Sequence, residues 1–529
     1  MLADMRQTAF CFEASRGALP KEKHEPTPAP KFREGHPEQL FVGNVKLSTY
    51  LQDHKFGFVL GLGSFFQGYD FSAFLKAYSA EGRPAIHPRV ILGLVIYGIL
   101  MKQSSLRELE NLSLRDVGAW WICGGLQPDH STIGKFLNQH STLLSENFFG
   151  QITQQIVHEL KLSPTDVAAD GTVIEAAASR YKVLKVEAAL EAAKQATSEA
   201  KENPEDSAKQ AKAERFAEIV DVINKKQVQL EQSGKPTDKF CISTTEPHAV
   251  VQPLKNKTQR PSYKPSILVD EHRLIIGSYF HSTNENIAIP PMLEQHRTIY
   301  GQLPQCTLLD AGYHNIEVLN HFVALELDVL CPQGSVDKTG EWTKQSSLGL
   351  YPKSAFQYDE AKNVYVCPQQ QRLAQASTGQ DAHGRNYAKY KSVACLSCPV
   401  AKLCTKSENG RSIKRYDGEA VKEAMVQVLQ HPKAKQRYRQ RKAIVEPVFA
   451  ELKERQGLTR FHRKGTPGAK LEFALHCVAY NLKRAYSLSE RAIFGVFVLY
   501  YRRNQGPWKV FSIYSSIFPG QTNPTLSCF

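Results

Sequence analysis

The sequence lacks long hydrophobic runs, although it has 529 residues. Its longest apolar stretches, residues 90–101 and 492–501, are each flanked by Arg or Lys. Both are shorter than the ~20 residues that a membrane-spanning helix needs. The first thirty residues also lack a basic segment followed by an apolar one, so no secretory signal is expected. These absences predict a cytoplasmic protein with no membrane partner.

Other absences exclude whole classes of function. The sequence has no glycine-rich loop of the P-loop type, so NTP use is not implied. No Ser, His and Asp set stands in a hydrolase motif. Eleven cysteines are an odd number, and without a secretory signal we expect reduced thiols or metal ligands.

Positive charge, in contrast, is in excess. Lys and Arg number 66 and Asp and Glu 52, which gives a net charge of +14. Such an excess favours a polyanionic partner, with nucleic acid more probable than an anionic membrane. The overall composition is that of an ordinary globular chain.

Changes in composition divide the chain into segments. Strand-like runs that alternate with helical patterns after residue 162 predict an α/β core. An Ala-, Glu- and Lys-rich stretch inside that core predicts a long solvated helix or a helical hairpin. The expected segments are a mobile N-terminal segment (1–40), a helical domain (41–161), the α/β core (162–332 and 411–486) with a helical insertion (182–235), a cysteine-rich insertion (333–410) and a tail of unknown role (487–529).

The helical domain shows clear signals for individual helices. Residues 90–101 are apolar all round and predict a buried helix. Ser105 and Glu108 fit a capping box, and Asp129 is placed to cap the following helix. Several short helices followed by a longer one suit a helix-turn-helix-like DNA-binding module, but they suit a plain helical bundle equally well.

Three acids are candidates for a metal site. Asp170 and Asp310 each end an apolar strand-like run and are followed by small residues. Glu446 lies on a predicted helix, with Lys453 on the same face two turns later. Carboxylates are the ligands that Mg²⁺ prefers, and two-metal phosphoryl chemistry needs several of them. The alternatives are that the two aspartates form turns or helix caps and that the helix is simply solvated and salt-bridged. Pro447 predicts a kink beside Glu446.

Several stretches, taken in order, resemble the bacterial insertion-sequence transposases of the DDE type. They are HPRVILGL (87–94), PDHSTI (128–133), ADGT (169–172), LDAGY (309–313), YRQRKAIVEPVFAELK (438–453), GLTRFHRKG (457–465) and AYNLK (479–483). No single motif is specific, but their order is, and the resemblance covers about residues 40–486. It implies a ribonuclease-H-like mixed sheet in which Asp170, Asp310 and Glu446 are catalytic and bind Mg²⁺ or Mn²⁺.

The resemblance also assigns roles to bases around Glu446. Tyr438, Arg441 and Lys453 match the family's residues on the glutamate helix. Four residues separate Arg441 from Glu446 where related transposases have three, so Lys442 is an alternative to Arg441. All four are expected to contact DNA.

A basic loop follows Gly457 and is a further candidate for DNA contact. It carries Arg460, Arg463 and Lys464 with Phe461 among them, a combination that suits phosphate binding and stacking.

The function implied by the resemblance is DNA transposition. The protein is expected to bind terminal inverted repeats in double-stranded DNA, cleave phosphodiester bonds and join the 3′-OH end to target DNA. Action on two ends implies a homodimer on DNA, in the nucleoid of a bacterial cytoplasm. Two alternatives stay open: a transposase-derived DNA-binding protein that no longer cuts, and a ribonuclease-H-like nuclease without strand transfer.

Four cysteines in the insertion have the spacing of metal ligands. They follow the pattern C-x27-C-x2-C-x5-C at Cys367, Cys395, Cys398 and Cys404. A C-x2-C pair and two further thiols can complete a tetrahedral structural Zn²⁺ site. Reduced surface thiols or a redox pair are the alternative. Because related transposases carry such insertions between the second Asp and the Glu, the resemblance favours a small zinc-ribbon-like unit that performs no chemistry.

Overall fold

The computed structural model describes residues 30–488 except 233–235, 239, 255, 284, 335–349 and 382–383. Residues 1–29 of the predicted mobile segment and residues 489–529 of the predicted tail lie outside this range. The described chain is a mixed α/β protein, in agreement with the predicted class. None of its described helices is long and apolar enough to cross a membrane.

The N-terminal region is built of short helices packed around one buried helix. The helices are α1 (Leu47–Asp53), α2 (Gly57–Gly68), α3 (Ser72–Leu75), α4 (Pro88–Leu100), α5 (Leu106–Arg115), α6 (Val117–Cys123), α7 (His130–Gln139), α8 (Ser141–Leu143) and α9 (Phe149–Glu159), with a π-helical turn at Leu144–Phe148. Helix α4 is buried on all sides. The predicted capping box of Ser105 and Glu108 is confirmed, and Asp129 caps α7 as predicted.

Residues 30–40, which the sequence predicted to be mobile, make regular backbone contacts. Strand β1 (Phe32–Arg33) pairs in parallel with β4 (Ala85–Ile86), and a two-residue hairpin of β2 (Phe41–Val42) and β3 (Val45–Lys46) follows. The His36 N–H donates to the Gly124 carbonyl at 3.0 Å. These backbone contacts attach the segment to the helical domain.

The strands of the middle region form one central sheet and two small ones. They are β5 (Val167–Gly171), β6 (Ile174–Glu175), β7 (Val183–Lys185), β8 (Cys241–Ser243), β9 (Val250–Pro253), β10 (Gln259–Tyr263), β11 (Ser266–Asp270), β12 (Ile275–Tyr279), β13 (Cys306–Leu308) and β14 (Asp328–Leu330). The central sheet has the order β12-β11-β5-β13-β14. Strand β11 is antiparallel to both of its neighbours, while β13 is parallel to β5 and to β14. The carboxyl ends of β12, β5 and β13 therefore meet at one edge.

The predicted helical insertion is a hairpin of α10 (Val186–Glu202) and α11 (Ser207–Gln232), closed by the β7–β8 pair. Its small core contains Val186, Ala189, Ile219 and Ile223. Helices α12 (Ile289–Tyr300) and α13 (Ile316–Ala324) then follow β12 and β13, respectively.

The cysteine-rich insertion contains a sheet that the sequence did not predict. Its five antiparallel strands run in chain order, and a short helix, α14 (Ala401–Cys404), interrupts them. The strands are β15 (Gln357–Asp359), β16 (Val364–Val366), β17 (Arg372–Gln380), β18 (Asn386–Lys391) and β19 (Ser412–Tyr416). Because β19 pairs with β18, the unit extends to Tyr416 and the predicted boundary at residue 410 is too early.

The C-terminal helices are α15 (Glu419–Val428), α16 (Pro432–Ala450) and α17 (Gly465–Leu488). Helix α15 packs against α13, α16 against the central sheet, and α17 against both the central sheet and the helical domain. A π-helical turn (Glu451–Arg455) extends α16, which continues through Pro447. Proline removes the N–H that would bond to the carbonyl four residues earlier. That carbonyl, of Ala443, instead accepts a hydrogen bond from Arg273 Nε at 3.1 Å.

A buried asparagine fixes α17 to the sheet. Asn481 accepts from the Ile275 N–H at 2.9 Å and donates to the Ile275 carbonyl at 2.7 Å. Its amide also donates to Thr153 in α9 at 3.0 Å. One side chain, from the AYNLK motif, thus satisfies the backbone N–H and carbonyl of Ile275 in the edge strand β12.

Candidate active site

The structure brings Asp170 and Asp310 together at one edge of the central sheet. Asp170 lies near the end of β5, and Asp310 follows the adjacent parallel strand β13. One oxygen of each carboxylate is held by a backbone N–H, since Asp170 Oδ1 accepts from Gly171 and Asp310 Oδ1 from Gly312, both at 2.8 Å. The cap predicted as an alternative for Asp310 is therefore present, and it orients the carboxylate.

Arg441 from α16 lies between the two aspartates. Its Nη2 is 3.0 Å from Asp170 Oδ2 and 3.9 Å from Asp310 Oδ2. The same nitrogen donates to the Ala169 carbonyl at 3.4 Å, and Arg441 is only 7% exposed. The sequence predicted that Arg441 contacts DNA, but the structure places its guanidinium with the carboxylates, inside the protein.

The site has an excess of negative charge that Arg441 does not fully offset. Burial raises the pKa of Asp170, and nearby Asp310 and Glu285 raise it further, while Arg441 lowers it. Tyr438, also from α16, is half-buried beside this group, and burial raises its pKa to about 12. Cys331 donates its thiol to the Asp310 carbonyl at 3.1 Å, and burial likewise raises its pKa to about 12.

Glu446 lies on the same helix as Arg441, but it is exposed. Among the residues that the structure describes, no hydrogen bond or ion pair joins Glu446 to either aspartate. Lys442 is exposed one turn before Glu446. Lys453, in the turn that extends α16, donates to the Val173 carbonyl at 3.1 Å, close to Asp170 in the chain. Glu446 therefore lies in the chain between Arg441, which contacts the Ala169 carbonyl, and Lys453, which contacts the Val173 carbonyl.

Sequence analysis missed one acid at this edge, Glu285, in the loop between β12 and α12. A Cβ added at Gly171 would stand 2.8 Å from Glu285 Oε1, and one added at Gly312 would stand 3.7 Å from Oε2. Glu285 forms an ion pair with Lys264. Only the strand order of the sheet could have predicted Glu285, because the carboxyl end of β12 lies at the same edge as the carboxyl ends of β5 and β13.

The predicted basic loop is fixed mainly by contacts within the protein. Arg460 donates to the Ala178 carbonyl at 2.8 Å. Arg463 is partly buried and donates to Asn138 Oδ1 at 2.5 Å. Glu472 of α17 accepts from the backbone N–H groups of His462 and Arg463 at 2.9 and 3.0 Å. Lys464 is exposed.

The four predicted cysteine ligands line one small cavity of the insertion. Burial raises the pKa of the Cys404 thiol, and the other three thiols raise it further. The Gln371 N–H donates to Cys367 Sγ at 3.3 Å. All nine cysteines in the described part of the chain are free thiols. Within that part, no three His, Cys, Asp or Glu side chains already stand in the arrangement of a metal site.

Two family models match the chain. A Transposase domain (DUF772) matches residues 62–139, which include α4 to α7. A Transposase DDE domain matches residues 366–486, which include the four cysteines and Glu446 but neither Asp170 nor Asp310. No curated protein matches the chain.

Proposed function

We propose that this chain, a transposase of the insertion-sequence DDE type, binds the terminal inverted repeats of its element, cleaves phosphodiester bonds there and joins the 3′-OH end to target DNA. The observation that carries the proposal is the meeting of Asp170 and Asp310 around the buried guanidinium of Arg441. Two acids from distant parts of the sequence converge there on adjacent strand ends.

We infer that the central sheet is a ribonuclease-H-like core. A mixed sheet of five strands with helices packed against it, and acids at the ends of neighbouring parallel strands, supports this inference. The helices α1 to α9 would hold the inverted repeats, and the match of residues 62–139 to a transposase domain supports that role. Action on two DNA ends favours a homodimer on DNA in the nucleoid of a bacterial cytoplasm.

The carboxylates fit a divalent cation. Burial and neighbouring acids raise the pKa of Asp170, so added positive charge would stabilise its ionised form. Asp170, Asp310 and Glu446 would hold Mg²⁺ or Mn²⁺. When bound, such ions activate the attacking oxygen and stabilise the leaving one.

The chain's own residues would orient the acids and bind DNA. Arg441 would hold the two aspartate carboxylates in place, while the exposed Lys442 and Lys464 would neutralise DNA phosphates. Tyr438, Lys453, Arg460 and Arg463 would line the DNA path. In the first step, water would displace the 3′ oxygen of the element end from phosphorus. In the second, the freed 3′-hydroxyl would attack the phosphorus of a target phosphodiester and displace the 3′ oxygen of the target strand.

We further propose that Cys367, Cys395, Cys398 and Cys404 hold a structural Zn²⁺. All four thiols face one cavity, and the N–H donated to Cys367 would stabilise a thiolate there. The ion would stabilise the small sheet without taking part in the reaction.

The test is cleavage of labelled DNA that carries the element's own ends, in the presence of Mg²⁺. Asp310→Asn and Glu446→Gln should each lower cleavage by at least about 10²-fold while DNA binding, measured by gel shift, is retained. Glu454→Gln is the matched control, because Glu454 is an exposed acid just beyond the same helix. This variant should cleave DNA like the wild type.

Each other outcome is informative. Equal cleavage by the wild type and both variants would refute the assignment of the acids. Binding without cleavage by the wild type would support the alternative of a protein that no longer cuts. Cleavage without joining would support a nuclease that lacks strand transfer.

A further inference from the structure

A third carboxylate, from a different loop, reaches the edge of the sheet where Asp170 and Asp310 meet. Glu285 precedes the short 3₁₀ turn Asn286–Ala288 that leads into α12. Its side chain is only 14% exposed although it is charged. Burial of a carboxylate is costly unless it has a charged or hydrogen-bonding partner.

Two glycines show how near this carboxylate lies to the catalytic acids. The point where a Cβ would stand at Gly312 is 3.0 Å from Asp310 Oδ1 and 3.7 Å from Glu285 Oε2. The corresponding point at Gly171, the residue after Asp170, is 2.8 Å from Glu285 Oε1. Both positions are occupied by glycine, so no side chain at residue 171 or 312 separates Glu285 from the aspartates, while Arg441 lies between the two aspartates.

A buried hydroxyl faces the same group. Tyr313 is fully buried, and its hydroxyl has no hydrogen-bond partner of good geometry in the described part of the chain. Burial raises the pKa of Tyr313, and Glu285, Asp170 and Asp310 raise it further, while the nearby Ser266 hydroxyl lowers it. A buried hydroxyl without a well-aligned partner beside three acids is a group that a bound ion with its water ligands would satisfy.

The charge of the group is incompletely balanced. Three carboxylates face two cations, Arg441 with the aspartates and Lys264 with Glu285. The Lys264 side chain is 28% exposed and starts from the loop between β10 and β11, so it can move away without disturbing the sheet.

We propose that Glu285 is a further ligand of the divalent cation at the Asp170–Asp310 site, and that Lys264 neutralises Glu285 until the cation binds. The inference rests on the proposed function, since it deepens the same metal site. A carboxylate oxygen is a ligand that Mg²⁺ and Mn²⁺ prefer, and the cation would take over the role of the lysine.

The test is a titration of the full chain with Mn²⁺ alone, in which isothermal titration calorimetry measures the Mn²⁺ affinity. Glu285→Gln keeps the shape of the side chain and should weaken Mn²⁺ binding by about tenfold or more. Lys264→Met removes the competing cation and should tighten it. Glu294→Gln on α12, whose carboxylate is exposed and pairs with Arg297, is the matched control and should bind like the wild type.

A second variant displaces the carboxylate without removing any charge. In Gly171→Ala the new methyl group would stand 2.8 Å from Glu285 Oε1, so the flexible Glu285 side chain must move away. We expect weaker Mn²⁺ binding from this variant too, with all ligands present and a folded chain confirmed by circular dichroism.

Asp310→Asn separates failure of this inference from failure of the proposed function. If Asp310→Asn weakens Mn²⁺ binding and Glu285→Gln does not, Glu285 is not a ligand but the proposed metal site stands. If neither variant changes binding, the proposed metal site itself is wrong. Weaker binding by Lys264→Met would overturn the neutralising role of Lys264.

Discussion

The carboxylate site and the cysteine cluster differ in how the protein balances their charge. At the carboxylate site, Arg441 and Lys264 already pair with the acids, and backbone N–H groups fix the orientation of both aspartates. At the cysteine cluster, the nearby Arg411 donates to the Cys404 backbone carbonyl and lies over the Phe356 ring. The protein's own cations and backbone N–H groups therefore organise the carboxylate site, whereas Arg411 at the cysteine cluster contacts a backbone carbonyl and an aromatic ring.

The hydrophobic cores around the two sites also differ in size. The central sheet belongs to the large core that also includes the N-terminal helices and α17. The insertion has a separate core with five buried residues, Phe356, Tyr365, Leu373, Tyr390 and Ile413. A core this small supplies little stability, and small units usually need a metal or disulfides. The comparison implies that metal removal should affect the fold of the insertion and only the chemistry of the carboxylate site.

Removal of the proposed zinc should have the largest effect on structure. Structural zinc sites contribute apparent binding free energies on the order of 10 kcal/mol, so a chelator should unfold the insertion. Hydrogen–deuterium exchange should rise sharply in β15 to β19 and stay unchanged in the central sheet.

Zinc content supplies the control for this experiment. Cys398→Ser should lose one equivalent of zinc, whereas Cys241→Ser, which changes a thiol outside the cluster, should retain it. If the purified protein contains no zinc, or if hydrogen exchange in the insertion stays slow after chelation, the fold of the insertion does not depend on zinc. The proposed difference between the two sites would then be wrong.

Loss of Arg441 should have the next largest effect. Arg441→Ala leaves two partly buried carboxylates without their common cation, and breaking a buried pair costs about 3–5 kcal/mol. Urea denaturation should show this loss, and added Mn²⁺ should restore part of it because the cation replaces the guanidinium. Arg439→Ala, exposed on the same helix, should leave the stability unchanged. A stable Arg441→Ala protein would show that the acids do not depend on this counter-charge.

Loss of Asn481 should have a smaller effect, of about 1–3 kcal/mol. Asn481→Ala leaves the N–H and carbonyl of Ile275 unsatisfied inside the core. The measurement is the urea midpoint, with Asn409→Ala at an exposed position of the insertion as the control. An unchanged midpoint would mean that water satisfies the edge of β12 and that the rigidity of the central sheet has another source.

The sequence predicted local features well where one residue type has one physical role. The cap at Asp129, the capping box at Ser105 and the buried helix predicted at residues 90–101 follow from local rules, and all are present, the helix as Pro88–Leu100 with Met101 exposed after it. The two strands that lead to Asp170 and Asp310 were found because they are buried and hence continuously apolar. The residues alone left turn or cap roles open for both aspartates, and the resemblance to transposases predicted their common site.

The missed features depend on contacts between distant segments. Strand β17 has the sequence RLAQASTGQ, in which one leucine is fully buried, so no apolar alternation marks it as a strand. Glu285 stands in a polar loop and is recognisable only when the sheet order brings that loop to the site. Arg441 has the same sequence character as its exposed neighbours Arg439 and Lys442, and only helix rotation separates a buried counter-ion from a surface base.

The smallest expected effect is the pH dependence of the basic loop, where the single acid Glu472 pairs with His462, whereas two cations pair with the acids of the carboxylate site. The hydrogen bond with Glu472 raises the pKa of His462, and Glu108 raises it further, while burial and Arg460 lower it. The pKa of His462 in the folded state is thus raised above its unfolded-state value of about 6.5. The stabilisation from the His462–Glu472 pair is therefore fully present below the unfolded-state pKa and is lost as the pH rises through the folded-state pKa. The effect is small because the His462 side chain is half-exposed and screened by solvent.

Melting temperatures of the wild type and His462→Gln should therefore differ most at acidic pH and converge above neutrality. The control is His158→Gln, which changes an exposed histidine in α9 and should show no such convergence. A difference that is independent of pH would mean that the Glu472 carboxylate holds the loop through the His462 and Arg463 backbone N–H groups alone.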